Sequence, residues 1–258
     1  MKRFAVMTMK GGTGKTTTAL SVAHGLSLSG KRTLLIDCDP QRNSAVTFGV
    51  MGDKGLDTLL MTGDVQIIQV RENLFLIDSG GRRLVEVELT LGRQQNRENR
   101  MREALRNLKG CDYVICDCPP SMNLINVNVL AYTDQIIVPV AMDYLSQVGA
   151  AQTMETLDEV RWITESKKID YKILPTFYDA RTRISKQVLD QLRKEFGDRV
   201  YETVIRINTA LKEAPGTNKT IYEHAPLSRG AFDYYRLTEE IMAEDDPVDR
   251  HDEHDDLR

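Results

Sequence analysis

The run Lys10-Gly11-Gly12-Thr13-Gly14-Lys15-Thr16-Thr17 constrains this chain more than any other stretch. An apolar segment, Phe4-Ala5-Val6-Met7, stands directly before it, and a helix-like run, Thr18-Ala19-Leu20-Ser21-Val22-Ala23, directly after it. That order predicts a strand, a glycine-rich loop and a helix start, the arrangement that turns backbone N–H groups onto a nucleotide's phosphates. Glycine permits it because no Cβ blocks an inward-facing amide. In such a loop Gly11, Gly12, Thr13, Gly14 and Thr17 line the triphosphate. Lys15 reaches the β- and γ-phosphates, and the Thr16 hydroxyl takes a place on Mg²⁺. The usual spacing, G-x-x-x-x-G-K-[ST], needs a glycine where Met9 stands. An additional lysine, Lys10, precedes the glycines instead.

A phosphate loop needs carboxylates to hold Mg²⁺ and to position the attacking water. Two aspartates close apolar runs that read as strands. Leu34-Leu35-Ile36-Asp37-Cys38-Asp39-Pro40-Gln41 puts Asp39 at the carboxyl edge of a sheet, where the γ-phosphate belongs. Tyr113-Val114-Ile115-Cys116-Asp117-Cys118-Pro119-Pro120 ends in Asp117, placed to hold Mg²⁺ through water. Asp39 is a candidate for both metal and water.

Strands are expected over Phe4–Thr8, Thr33–Asp37, Leu74–Asp78, Tyr113–Asp117, Gln135–Val140 and Lys172–Phe177, most of them continuous apolar runs. Helices are expected over Lys15–Ser29, Leu84–Leu108 with a break near Gly92, Ser146–Ser166, Ser185–Phe196 and Gly230–Ala243. This alternation predicts an α/β fold, a doubly wound, mostly parallel sheet with helices on both faces. One P-loop ATPase domain is expected over residues 1–243. The remaining 244–258 carry eight acidic residues and two arginines, which accounts for the overall charge of −4 and reads as a disordered acidic tail.

Composition narrows the class. No apolar run reaches the ~20 residues that span a bilayer. Met1-Lys2-Arg3 runs straight into the first strand, so a cytoplasmic protein without a leader is expected. The four cysteines, Cys38, Cys111, Cys116 and Cys118, lack the spacing of a four-ligand zinc site and read as buried thiols. His251 and His254 lie in the acidic tail and make a weak metal site.

With these blocks in order, the chain resembles the ParA/Soj partition ATPases, of the ParA/MinD group with the deviant Walker A loop. The resemblance rests on Lys-Gly-Gly-x-Gly-Lys-Thr, Asp-x-Asp-Pro-Gln and Asp-Cys-Pro-Pro-Ser. It continues through Ile137-Val138-Pro139-Val140 with Asp143-Tyr144, Tyr178-Asp179-Ala180-Arg181-Thr182, Leu211-Lys212-Glu213-Ala214-Pro215 and Ser228-Arg229-Gly230-Ala231, and covers roughly residues 1–243. Asp143 stands where the family commonly has Glu, Thr8 where it has Asn, and Ile207-Asn208 where it has Arg-Asn.

The resemblance implies an ATP- and Mg²⁺-dependent homodimer in which Lys10 reaches the partner subunit's nucleotide and Lys15 its own. Asp39 activates water, and Asn208 and Pro215 hold the adenine. It further implies binding to non-specific DNA, a nucleoid-associated location, and a ParB-like or cargo-adaptor protein that stimulates a hydrolysis slow by itself. Arg181 matches a DNA-contacting arginine of the family, whereas the second such position is Ala210. Arg206 and Lys212 stand nearby, and Lys186 adds a further cation. The segment 178–236 has eleven Lys/Arg against eight Asp/Glu, and 93–109 has six against two. The second stretch faces either DNA or the partner protein. Three other classes are weighed. A MinD-like membrane ATPase calls for a basic amphipathic C-terminal helix, where this chain is acidic. A non-hydrolysing adaptor glued by ATP is disfavoured by Asp39. A cluster-bearing electron-transfer ATPase needs cysteines at a dimer seam, and these lie inside the strand-end motifs.

Overall fold

Apolar runs without polar alternation are buried on both faces in a parallel sheet, and the central strands here show that burial. The computed structural model describes residues 1–143 and 170–245. Its strands are β1 (Lys2–Val6), β2 (Thr33–Asp37), β3 (Ile68–Arg71), β4 (Leu74–Ile77), β5 (Tyr113–Asp117), β6 (Gln135–Ala141) and β7 (Asp170–Thr176). They form one sheet in the order β3-β4-β2-β5-β1-β6-β7. All neighbours pair in parallel except β3 with β4. Every residue of β2, β5 and β6 is buried.

The helices are α1 (Lys15–Leu28), α2 (Asn43–Phe48), α3 (Leu56–Thr62), α4 (Arg82–Leu91), α5 (Arg100–Ala104), α6 (Leu124–Tyr132), α7 (Arg183–Phe196), α8 (Ala210–Glu213), α9 (Ile221–His224) and α10 (Arg229–Asp245). Two hydrophobic clusters separate across the sheet. One holds Ala19, Val22, Leu26, Leu237 and Ile241 from α1 and α10. The other holds Leu56, Leu84, Met101, Val129 and Leu189 from α3 to α7. This is the doubly wound arrangement predicted. The chain leaves β1 toward β2 on one side and later fills β6 and β7 on the other. The loop after β1 therefore opens at the reversal of strand order, where open α/β sheets bind ligands.

The differences from expectation are local. β1 lies two residues earlier than Phe4–Thr8. β3 was not expected; it is a four-residue antiparallel edge with a register shift between Gln69 and Arg71. The long helix expected over Leu84–Leu108 is α4, a 3₁₀ turn at Arg97–Asn99 and α5. Gly92 ends α4 and a left-handed Asn96, φ 53°, redirects the chain. Short α2, α3 and α6 are additional. The helix expected over Ser146–Ser166 lies outside the described residues, as do 246–258 of the acidic tail. The last helix continues through Glu244 and Asp245, which pair with Lys172 and Lys2. Among the described residues no helix is long and apolar enough to cross a membrane.

α1 packs between the sheet and α10, and its closest approach is at Gly25. A Cβ there would fall 2.4 Å from Thr238 Oγ1 and 2.7 Å from the Tyr222 hydroxyl. Gly25→Ala gains about 1 kcal/mol of helix propensity. The overlap should outweigh it, for a net loss of about 1–2 kcal/mol, read as a lower urea midpoint at unchanged slope. A midpoint at or above the wild type would show that α10 gives way freely.

Candidate nucleotide-binding site

The loop between β1 and α1 owes its path to glycine. Gly12 and Gly14 are left-handed, φ 75° and 92°. A Cβ on Gly11 or Gly12 would meet nothing within 4 Å, so the rim of the loop opens onto space rather than protein. Gly14 precedes α1 and no side chain caps that helix. The amides of its first turn are thus offered to an anion together with the positive end of the helix dipole. The loop is pinned from β7, where Thr176 Oγ1 donates to the Thr13 carbonyl at 3.0 Å. The Thr13 hydroxyl is buried without a partner in the structure.

Lys15 is buried and donates from Nζ to the Lys10 carbonyl at 3.1 Å, spanning the loop from within. Burial pulls its pKa down, while the Asp117 and Asp39 charges oppose that. Lys10 points the other way, with Nζ 3.4 Å from Asp143 Oδ1 just beyond β6.

Asp37 and Asp117 face one another in register at the ends of β2 and β5, both fully buried. Asp117 Oδ1 accepts from Thr16 Oγ1 at 3.3 Å and Oδ2 from Ser44 Oγ at 2.8 Å. Asp37 Oδ2 accepts the Ser44 and Ala45 amides at 3.0 and 3.2 Å, and Oδ1 the Asp39 amide at 3.1 Å. Burial pushes the Asp117 pKa up to about 6, against the hydroxyl bonds from Ser44 and Thr16. Burial, then the Asp117 charge, raises Asp37 well above the ordinary carboxylate range. Asp39 is half-buried, and its Oδ1 accepts the Gln41 amide at 2.8 Å.

These residues suit a nucleotide with a divalent cation. The open glycine rim and the buried, unpartnered Thr13 hydroxyl offer donors to phosphate. Two buried carboxylates with raised proton affinity favour an added cation. Among the described residues no group of three or more His, Cys, Asp or Glu is arranged to hold a metal by itself. Mg²⁺ needs no such cage, because it binds through one or two protein oxygens, waters and the substrate's phosphates.

Beside the loop lies a cavity of about 330 Å³. Gly14, Thr17, Phe177, Asn208 and Pro215 are among its lining. Asn208 Oδ1 is held by the Ala210 amide at 2.9 Å. Phe177 has φ 51°, a left-handed backbone uncommon for a bulky residue, and its ring stands over Gly14.

The structure therefore brings Lys15, Thr16, Asp39 and Asp117 together at one sheet edge, with Asn208 and Pro215 across the adjoining cavity. The four cations proposed for DNA differ in setting. Arg181 is exposed and paired with Asp179 through Nε and Nη2, at 2.9 and 2.8 Å. Lys186 is exposed on α7. Arg206 is paired with Asp233, and both Arg206 and Lys212 line the cavity. Sequence reasoning passed over Asp37, Ser44 and Phe177. The Asp-x-Asp spacing could have flagged Asp37, whereas nothing local marks Ser44.

The AAA domain family AAA_31 matches residues 1–171. The chromosome-partitioning ATPase Soj of Thermus thermophilus is 40% identical over 243 residues, covering 94% of this chain and 96% of that protein. The sporulation initiation inhibitor protein Soj of Bacillus subtilis is 37% identical over 250 residues, covering 94% and 98%. Among solved structures, cobyrinic acid a,c-diamide synthase from Mycobacterium smegmatis, with bound ATP analogue and magnesium, superposes with a TM-score of 0.80. It is 29% identical, with 95% of each chain covered.

The carboxylate pair carries a pH signature. Folded-state pKa values raised above the unfolded ones give a stabilisation present at low pH and lost as pH rises. For Asp117 that loss runs from the ordinary carboxylate range up through about 6. The urea midpoint of the nucleotide-free protein should fall across this window, and Asp117→Asn should flatten the fall. An undiminished slope in the variant would remove Asp117 as its source.

Proposed function

The chain belongs to the Soj/ParA family of partitioning ATPases, and from that premise we propose that it is an ATP-driven switch that dimerises, binds DNA without sequence preference and is reset by hydrolysis. The coarse role is that of the family, ATP hydrolysis in the service of partition. The observation that carries the finer reading is the convergence of Lys15, Thr16, Asp117 and Asp39 below an open glycine loop. ATP with Mg²⁺ is the ligand, as in the magnesium complex of the Mycobacterium smegmatis relative.

Each residue then has a physical task. Gly11 to Thr17 offer backbone donors to the phosphates, and Lys15 offsets charge at their β–γ end. The Thr16 hydroxyl and, through water, the Asp117 carboxylate would hold Mg²⁺, which when bound would offset negative charge on the phosphates. Asp39, half-buried and steadied by the Gln41 amide, accepts a hydrogen bond from the attacking water and orients it. Asn208 and Pro215 take the base in the cavity. Lys10 exchanges Asp143 for the nucleotide of the second subunit. Closure is thereby tied to ATP, and hydrolysis removes the anion that holds two lysines. Among the described residues no arginine stands in the phosphate loop itself, which fits a turnover that is slow until a ParB-like or cargo-adaptor partner stimulates it.

The dimer doubles each cationic position, and Arg181, Lys186, Arg206 and Lys212 are the residues assigned to DNA phosphates, at the nucleoid in the cytoplasm. Arg181 and Arg206 exchange carboxylate partners for phosphate in doing so.

Two measurements test this reading. Asp39→Ala should bind ATP and dimerise yet turn over at least tenfold more slowly, and a normal rate would remove Asp39 from the mechanism. DNA binding should need ATP and weaken steeply as salt rises from about 50 to about 200 mM. Binding equal without nucleotide, or insensitive to salt, would contradict the switch.

A further inference from the structure

Asp39 sits in a loop that Asp37 holds by the Asp39, Ser44 and Ala45 amides and that a second side chain, Arg42, ties to the end of β4. Asp39 to Arg42 form a turn closed by the Arg42 amide donating to the Asp39 carbonyl at 2.9 Å. Arg42 is left-handed, φ 60° and ψ 31°, a conformation that suits glycine and strains a long side chain. Its carbonyl accepts the Val46 amide at 2.9 Å and so starts α2. Both backbone ends of Arg42 are thus committed, one to Asp39 and one to the helix that carries Ser44 and its bond to Asp117.

The guanidinium reaches across to the end of β4. It grips Asp78 with both prongs, Nε to Oδ1 at 2.9 Å and Nη2 to Oδ2. Asp78 is only 1% exposed and also accepts the Gly52 and Gly80 amides at 2.8 and 3.3 Å. The arm lies over Gly81, where a Cβ would come 2.9 Å from Arg42 Cδ. A bidentate pair to an immobilised carboxylate fixes direction as well as distance. The backbone of Arg42 has no need of arginine; the anchor on Asp78 does.

We propose that Arg42, clamped by Asp78, is a positioning residue for ATP hydrolysis: it holds the Asp39 carboxylate in the orientation that directs water at the γ-phosphate. It touches neither nucleotide nor water and acts through the turn. This inference rests on the reading of Asp39 given above.

Arg42→Gly removes the arm and relieves the backbone, while Arg42→Lys keeps the charge and loses the fork. Steady-state turnover and equilibrium ATP binding are measured for both, for Asp39→Ala and for the Arg42→Gly/Asp39→Ala double variant. Arg42→Gly should lower kcat at least tenfold and leave ATP affinity within about threefold, with Arg42→Lys in between. The double variant should be no slower than Asp39→Ala by more than about twofold, because one residue works through the other. Arg42→Gly leaves the buried Asp78 carboxylate without its cation; if that variant does not fold, Arg42→Lys decides, with at least a threefold loss of kcat expected. Wild-type turnover in the Arg42 variants beside a slow Asp39→Ala overturns the inference, as does a loss that multiplies in the double variant. Wild-type turnover in Asp39→Ala instead overturns the reading of Asp39 itself.

Discussion

Asp37 and Asp117 lie side by side at the ends of β2 and β5 with no access to water, and the loops of the site are arranged around them. Two like charges in that position would be costly if left bare. The chain answers with two hydroxyls and three backbone amides, drawn from α1, α2 and the loop after β2. That compensation is incomplete by design of the site, because both groups retain raised proton affinity. The residual demand for positive charge is what a metal–nucleotide complex meets. The contacts that make burial tolerable also fix Thr16 and Ser44 beside Asp117.

In the proposed reading the two halves of the ligand fall to different parts of the chain. The phosphates fall to the first strand–helix unit, whose loop is set by glycine conformation and by Lys15. The cavity beside it is walled by residues from the last third, with Asn208 and Pro215 opposite Thr17 and Phe177. The hydrogen bond from Thr176 to the Thr13 carbonyl joins the halves.

What the sequence disclosed follows from burial. β2, β5 and β6 are covered on both faces, so their apolar runs are continuous and their positions could be read directly. The phosphate loop was legible because glycine spacing is itself a backbone constraint. β3 was not, since Ile-Gln-Val-Arg is a short edge segment defined by its partner strand rather than by its own pattern. α6 was hidden for a different reason. It is apolar on nearly every side, and its buried Asn126 and Asn128 turn their amide nitrogens onto the Pro119 and Arg97 carbonyls, so no polar stripe marks it. Ser44 escaped notice because its role exists only once β2 and β5 are neighbours. The settings of Arg181, Lys186, Arg206 and Lys212 likewise belong to tertiary structure, and no count of charges along the chain could foresee that two of them would line the cavity beside the phosphate loop.

The borders of the sheet have a consequence for colloidal behaviour. On one flank β3 is four residues long and interrupted by a shift in register. On the other, β7 is overlaid by bridges from Ile173 to Val200 and from Tyr178 to Arg206. Neither flank presents the long, flat ribbon of unsatisfied amides that seeds fibrillar growth. Collisions between copies at these flanks therefore meet no extended template for strand-to-strand pairing.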